Sequence, residues 1–118
     1  MHRLPPDLDL SFFKDKPLLQ VCIGANELIL HFDDDVSITV TSRIAVRGPL
    51  ERQDTYEDFS KAAPAVLSLL NDVVTMAEGD AAGTLALAFR SGICLEFHDT
   101  SDHYESYLVR HSDKTIVV

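Results

Sequence analysis

Two stretches of strict period-two alternation constrain this chain's fold more than any other feature. In Gly83–Phe97, Leu85, Leu87 and Phe89 alternate with Ala86 and Ala88. After Arg90-Ser91-Gly92 the pattern resumes as Ile93, Leu95 and Phe97. Successive strand side chains point to opposite faces, so this is an antiparallel hairpin with one apolar face. A shift of 57 residues brings Leu28, Leu30, Phe32, Val36, Ile38 and Val40 onto Leu85, Leu87, Phe89, Ile93, Leu95 and Phe97. Asp33-Asp34-Asp35 occupies the first tip, where Asp tolerates the backbone angles of a tight turn. The match reads either as an internal duplication or as the alternation that any two half-buried hairpins share.

The remaining segments fit around these hairpins. Residues 1–17 read as a lead-in broken by Pro5, Pro6 and Pro17, with Phe12 and Phe13 pinning it to the core. Leu19, Val21 and Ile23 alternate as a further strand, closed by a turn at Gly24-Ala25-Asn26. The strand through Val36, Ile38 and Val40 is expected to run on through Ile44 and Val46, so that residues 18–47 form one hairpin block ended by Gly48-Pro49. Residues 50–60 are polar. A helix is predicted over 60–72, with Pro64 in its first turn and Val66, Leu69, Leu70 and Val73 in one apolar stripe. It is expected to lie on the sheet as a lid. Val73-Val74-Thr75 favours a strand because its side chains are β-branched. Residues 83–118 then carry the second hairpin and the C-terminal strands. The predicted class is α+β, mostly β: one domain with a strongly bent antiparallel sheet or open barrel of six to eight strands, and one packed helix.

Charge narrows the partners. Nineteen acidic side chains face ten basic ones, for a net charge of −9. That disfavours nucleic acid, whose binding requires cations to displace phosphate counterions, and anionic lipid. It favours a cationic protein partner, or serves solubility alone. No signal-peptide core and no run near the ~20 apolar residues of a membrane helix is present, so a soluble cytoplasmic protein is expected. Cys22 and Cys94 sit in apolar strand patterns and read as reduced, buried thiols.

The candidates for chemistry are weak as catalysts. His98, Asp99, Asp102 and His103 lie close together but read as a polar loop rather than a zinc site. His31 points to the outer sheet face. Three consecutive aspartates lack the spaced ligands of a calcium loop. No nucleophile elbow, phosphate-binding glycine loop or dinucleotide fingerprint occurs. Neither metal nor cofactor is expected, and the chain is read as a non-enzyme. In Tyr104-Glu105-Ser106-Tyr107, Tyr104, Ser106 and Leu108 would share one strand face, and Glu105, Tyr107 and Val109 the other. Glu105 is then either bonded to backbone or to Arg110, or it is the polar anchor of a binding surface.

Pro64, Leu67, Leu69-Leu70, Val73 and Ala77 form a pattern with Gly83, Leu85, Leu87, Phe89, Gly92, Leu95 and the Tyr104–Tyr107 box. In this the chain resembles a family of small, uncharacterised bacterial proteins. Leu19, Val21, Ile23, Leu28, Leu30 and Phe32 are similar to that family's N-terminal half, so the resemblance spans most of residues 18–110. Such families commonly carry Trp where this chain has Tyr107. The resemblance implies a mostly β domain without established catalytic residues. In size and charge the chain is also similar to immunity proteins encoded beside secreted bacterial toxins. That implies a binding protein that neutralises a cognate toxin, with Asp33, Asp34, Asp35, Glu57, Asp58, Asp99, Asp102 and Glu105 facing basic residues and Tyr104 and Tyr107 as aromatic anchors. The alternatives are a small-molecule or enzymatic barrel with a cavity lined by Glu105, Tyr107 and His98, or a homo-oligomer paired through Lys114–Val118.

Overall fold

The computed structural model describes residues 9–48, 53–99 and 106–118. Over these residues it is mostly β with one α-helix, the class expected. Among the described residues, ten strands rather than the six to eight expected form two five-stranded antiparallel sheets in place of one bent sheet, with no closed barrel. They are β1 (Leu18–Ile23), β2 (Leu28–Phe32), β3 (Ser37–Val40), β4 (Arg43–Arg47), β5 (Gln53–Tyr56), β6 (Val74–Gly79), β7 (Leu85–Phe89), β8 (Cys94–His98), β9 (Tyr107–His111) and β10 (Lys114–Val117). The helix α1 is Phe59–Leu67, and a single 3-10 turn spans Ser11–Phe13. One sheet has the order β1-β2-β3-β9-β10 and the other β5-β4-β8-β7-β6.

Both predicted hairpins form, β2–β3 and β7–β8. Leu28, Leu30, Phe32, Val36, Ile38 and Val40 are buried, as are Leu85, Leu87, Phe89, Leu95 and Phe97. Ile93 is partly buried against them. The two inner faces share one core. Phe97 of one sheet meets Tyr107 of the other at a ring separation of 6.0 Å. The registers coincide under the sequence shift: Leu28 opposes Val40 and Leu30 opposes Ile38, while Leu85 opposes Phe97 and Leu87 opposes Leu95.

The first hairpin block is not one sheet. The strand expected to continue through Ile44 and Val46 breaks at Thr41-Ser42, where the Thr41 amide bonds the Ser106 carbonyl at 3.0 Å. The chain then crosses to the second sheet, and β4 pairs with β8. In return β9 pairs with β3. Alternation specifies which residues face inward but not which strand they lie beside. β5 was invisible in the sequence because Gln53, Asp54 and Thr55 are exposed at a sheet edge and carry no apolar alternation.

The helix starts at Phe59, one residue before the predicted start at 60, and ends at Leu67, five residues short of the predicted 72. The Asp58 carboxylate accepts from the Ser60 amide at 3.0 Å and from its hydroxyl at 2.7 Å, satisfying a helix-end donor. Pro64 therefore lies inside the helix and forgoes one backbone bond. Phe59, Ala62 and Val66 form the buried stripe, and Leu69 extends it from the following turn. Leu70 is 39% exposed, and Val73 forms a bridge to Pro17. Instead of covering a sheet face, α1 packs against β1 and β5, edge strands of different sheets, and closes one side of the sandwich. The terminal segment pairs within its own sheet as β10, and Val118 is fully buried.

Candidate protein-binding end of the sandwich

The registers place the loops at two opposite ends, separated by a strand length of ~17 Å. One end gathers the 24–27 loop, Thr41-Ser42, Glu57-Asp58, the 80–84 loop and Asp99. The other gathers the hairpin tips at 33–35 and 90–92. The acidic residues singled out in the sequence are therefore divided. Glu57, Asp58 and Asp99 share the first end, while Asp33, Asp34 and Asp35 lie at the second. Asp102, Tyr104 and Glu105, with His103, lie outside the described residues.

Charge is sorted along the same axis. At the first end Glu27, Glu57, Asp58, Glu78, Asp80 and Asp99 stand against Arg43 and Lys61. At the second, Asp15, Asp33, Asp34, Asp35, Asp54, Asp72 and Asp113 are offset by Lys16, Arg47, Arg90, Arg110 and Lys114, while Asp9 and Lys14 line a cleft shared with Glu78 of the first end. The Lys16 ammonium lies 2.8 Å from Asp34, and that hydrogen bond raises the Lys16 pKa.

A cleft of about 410 Å³ opens at the acidic end between Arg43, Thr55, Tyr56, Glu57, Asp58 and Lys61. Behind it runs a side-chain chain on the outer face of the sheet. The Arg43 Nε–H donates to His98 Nδ1 at 3.1 Å, and His98 Nε2 lies 3.2 Å from Glu96 Oε1. With Nδ1 accepting from Arg43, Nε2 is the ring nitrogen that faces the Glu96 carboxylate as donor. Glu96 and His98 share a face because they are two apart on β8, which the sequence displays. Arg43 reaches them only through the β4–β8 register, which it does not. A larger open cleft of about 540 Å³ beside the 3-10 turn is lined by Asp9, Lys14, Met76 and Glu78, among others, and includes none of the predicted site residues.

Tyr107 is not a surface anchor. It is 1% exposed, and its hydroxyl donates to the Gly83 carbonyl at 2.7 Å. Burial, then the charges of Asp99 and Asp80, push its pKa well above the ordinary 10.0. Gly83 has φ +91°, and a Cβ there would come within 2.8 Å of Asp99. Asp99 accepts from the Ser106 hydroxyl at 3.2 Å through Oδ1, while its buried Oδ2 has no partner among the described residues. His98 and Tyr107 cannot line one cavity. His98 points outward, whereas its neighbour Phe97 points into the core that holds Tyr107. Among the described residues, no three His, Cys, Asp or Glu side chains converge as metal ligands. Cys22 and Cys94 are free, and burial raises the Cys94 pKa. Among the described residues no helix is long and apolar enough to cross a membrane.

This arrangement defines a two-sheet antiparallel domain whose described acidic residues are less offset by cations at one end than at the other. The chain belongs to the family of unknown function DUF6188, whose pattern it matches over residues 13–118. No curated protein and no solved structure shows a significant match to it.

Proposed function

We propose that this protein is a binding module of the immunity type, which neutralises a cognate bacterial toxin in the cytoplasm by covering a basic active site or surface. The observation that carries this reading is the sorting of charge. Glu27, Glu57, Asp58, Glu78, Asp80 and Asp99 gather at one end, with Arg43 and Lys61 the cations set against them there. A surface with a net excess of acidic groups steers a cationic partner and disfavours wrong ones, and it takes the place of an anionic substrate. Asp102, Tyr104 and Glu105 continue the chain directly from Asp99, so the reading includes them in the partner surface. Asp33, Asp34 and Asp35 form a separate acidic tip at the far end, offset there by cations.

The test is affinity capture of the tagged protein from native lysate at low and moderate salt. It is run with the wild type, with Glu27→Lys/Glu57→Lys, and with Asp33→Lys. One basic partner should bind the wild type near stoichiometry, weaken with salt, and be lost on the double reversal. Asp33→Lys should bind nearly as well as wild type. A partner that ignores the double reversal, or no partner at either salt, would defeat the proposal.

A further inference from the structure

The correspondence between the two halves extends far beyond the hairpins. At a shift of 56, one less than in the hairpins because the 80–84 loop is one residue longer than the 24–27 loop, Leu10, Phe13 and Asp15 in the first half match Val66, Leu69 and Asn71 in the second. Asp15 and Asn71 share a left-handed backbone, with φ 67° and 68°. β1 and β6 each carry an irregularity near their start, at Leu18/Gln20 and Val74/Met76. The bonds joining the halves are reciprocal. Leu18 N–H donates to Asp72 and Val74 N–H to Lys16; Asn71 N–H donates to Leu18 and Asp15 N–H to Val74. Asp33 N–H donates to Pro17 as Arg90 N–H does to Val73, and Pro17 and Val73 bridge one another.

The same relation governs the crossing strands. Val40 opposes Tyr107 as Phe97 opposes Ile44, and Ser37 opposes Arg110 as Cys94 opposes Arg47. β4 in one half is thus the counterpart of β9 in the other. Each half keeps three strands in its own sheet and gives its last two to the other. Shared alternation alone does not produce matched φ values, irregularities and reciprocal bonds. The duplication reading therefore accounts for what the alternative does not.

We infer that the chain is two copies of one self-complementary unit, residues 10–57 and 66–118, and that each unit's inner surface is a docking surface for a second copy of that unit. The argument is geometric. Alone, a unit leaves the free edge of β3 or β8 and a hairpin with no sheet. The mate that satisfies both has the same backbone course, so another copy of the unit meets the same requirements under two-fold symmetry. The present intramolecular interface is that dimer joined through residues 58–65, which form most of α1.

The experiment begins with the full chain, carrying a specific protease site between Glu57 and Asp58, folded and then cut. The cut protein should elute as one particle of unchanged size and keep its β-sheet circular dichroism. The two pieces, separated in denaturant and refolded singly, should each return as a folded species of twice the piece's mass. A tandem chain of residues 9–65 followed by residues 9–57 removes the concentration requirement and should fold as a monomer. Pieces that part without denaturant would overturn the inference. So would refolding by the mixture while neither single pieces nor the tandem chain fold.

Discussion

The Tyr107 hydroxyl is buried against the Gly83 carbonyl, with the carboxylates of Asp99 and Asp80 nearby. Tyr107→Phe leaves that carbonyl without its donor and should cost about 1–2 kcal/mol in denaturant unfolding. The pH dependence has a definite sign. Because the folded-state phenol pKa is raised, its contribution is whole below pH 10.0 and is lost as pH rises from there towards the folded value. Stability measured through that alkaline range should therefore fall less steeply in Tyr107→Phe than in wild type. At the opposite end, Asp34 and Asp35 both have φ 59°, the backbone of a tight hairpin turn that disfavours side chains. Asp35→Gly should stabilise the protein by roughly 0.5 kcal/mol in the same assay, because glycine enters that region freely. The sequence indicated a turn at Asp33–Asp35 from composition alone. It gave Tyr107 a face without revealing that the face was interior.

Among the elements, α1 depends most on one local device, the Asp58 cap. The Ser60 hydroxyl and amide bonds hold the Asp58 carboxyl below its ordinary 3.8. Its contribution is present above pH 3.8 and is lost as pH falls through the depressed folded value. Asp58→Ala should lower the thermal midpoint at neutral pH, Asp58→Asn should retain most of it, and the deficit of the alanine variant should shrink in acid. The sequence placed a helix here from the spacing of its apolar residues. It placed the start to within one residue but ran the helix on to residue 72, because Leu69 and Leu70 continue the apolar spacing beyond Leu67, where the helix ends and turns follow. β5 went unread for a different reason: a polar edge strand takes its order from backbone pairing with β4, which no local pattern encodes.

Across the whole molecule, neither sheet is complete until distant strands arrive. β9 and β10 finish the sheet begun by β1–β3. Deleting residues 106–118 should therefore abolish cooperative thermal unfolding, because it bares the β3 edge and removes Tyr107, Val109 and Val118 from the core. Cys94 and Cys22 report the same cooperativity. Cys94 is 8% exposed in the central strand β8, whereas Cys22 is half-buried in the edge strand β1. A thiol reagent should label Cys22 promptly in native protein and Cys94, covered on the outer face of β8 by Arg47, more slowly, with both labelled at once in denaturant.

The amino-acid sequence by itself determined which residues of each hairpin turn inward, where the tips fall, that one helix interrupts the strands, and that the molecule is strongly acidic. These follow from side-chain periodicity, turn chemistry and charge, which act over a few neighbouring residues. Only the tertiary structure decided that β4 crosses to β8 and β9 returns to β3, that Tyr107 belongs to the core, and that Glu57, Asp58 and Asp99 share an end which Asp33–Asp35 do not. Those outcomes depend on pairing between strands tens of residues apart. There the energy gained is nearly independent of residue order, and the path of the connecting chain selects among strands with equivalent faces.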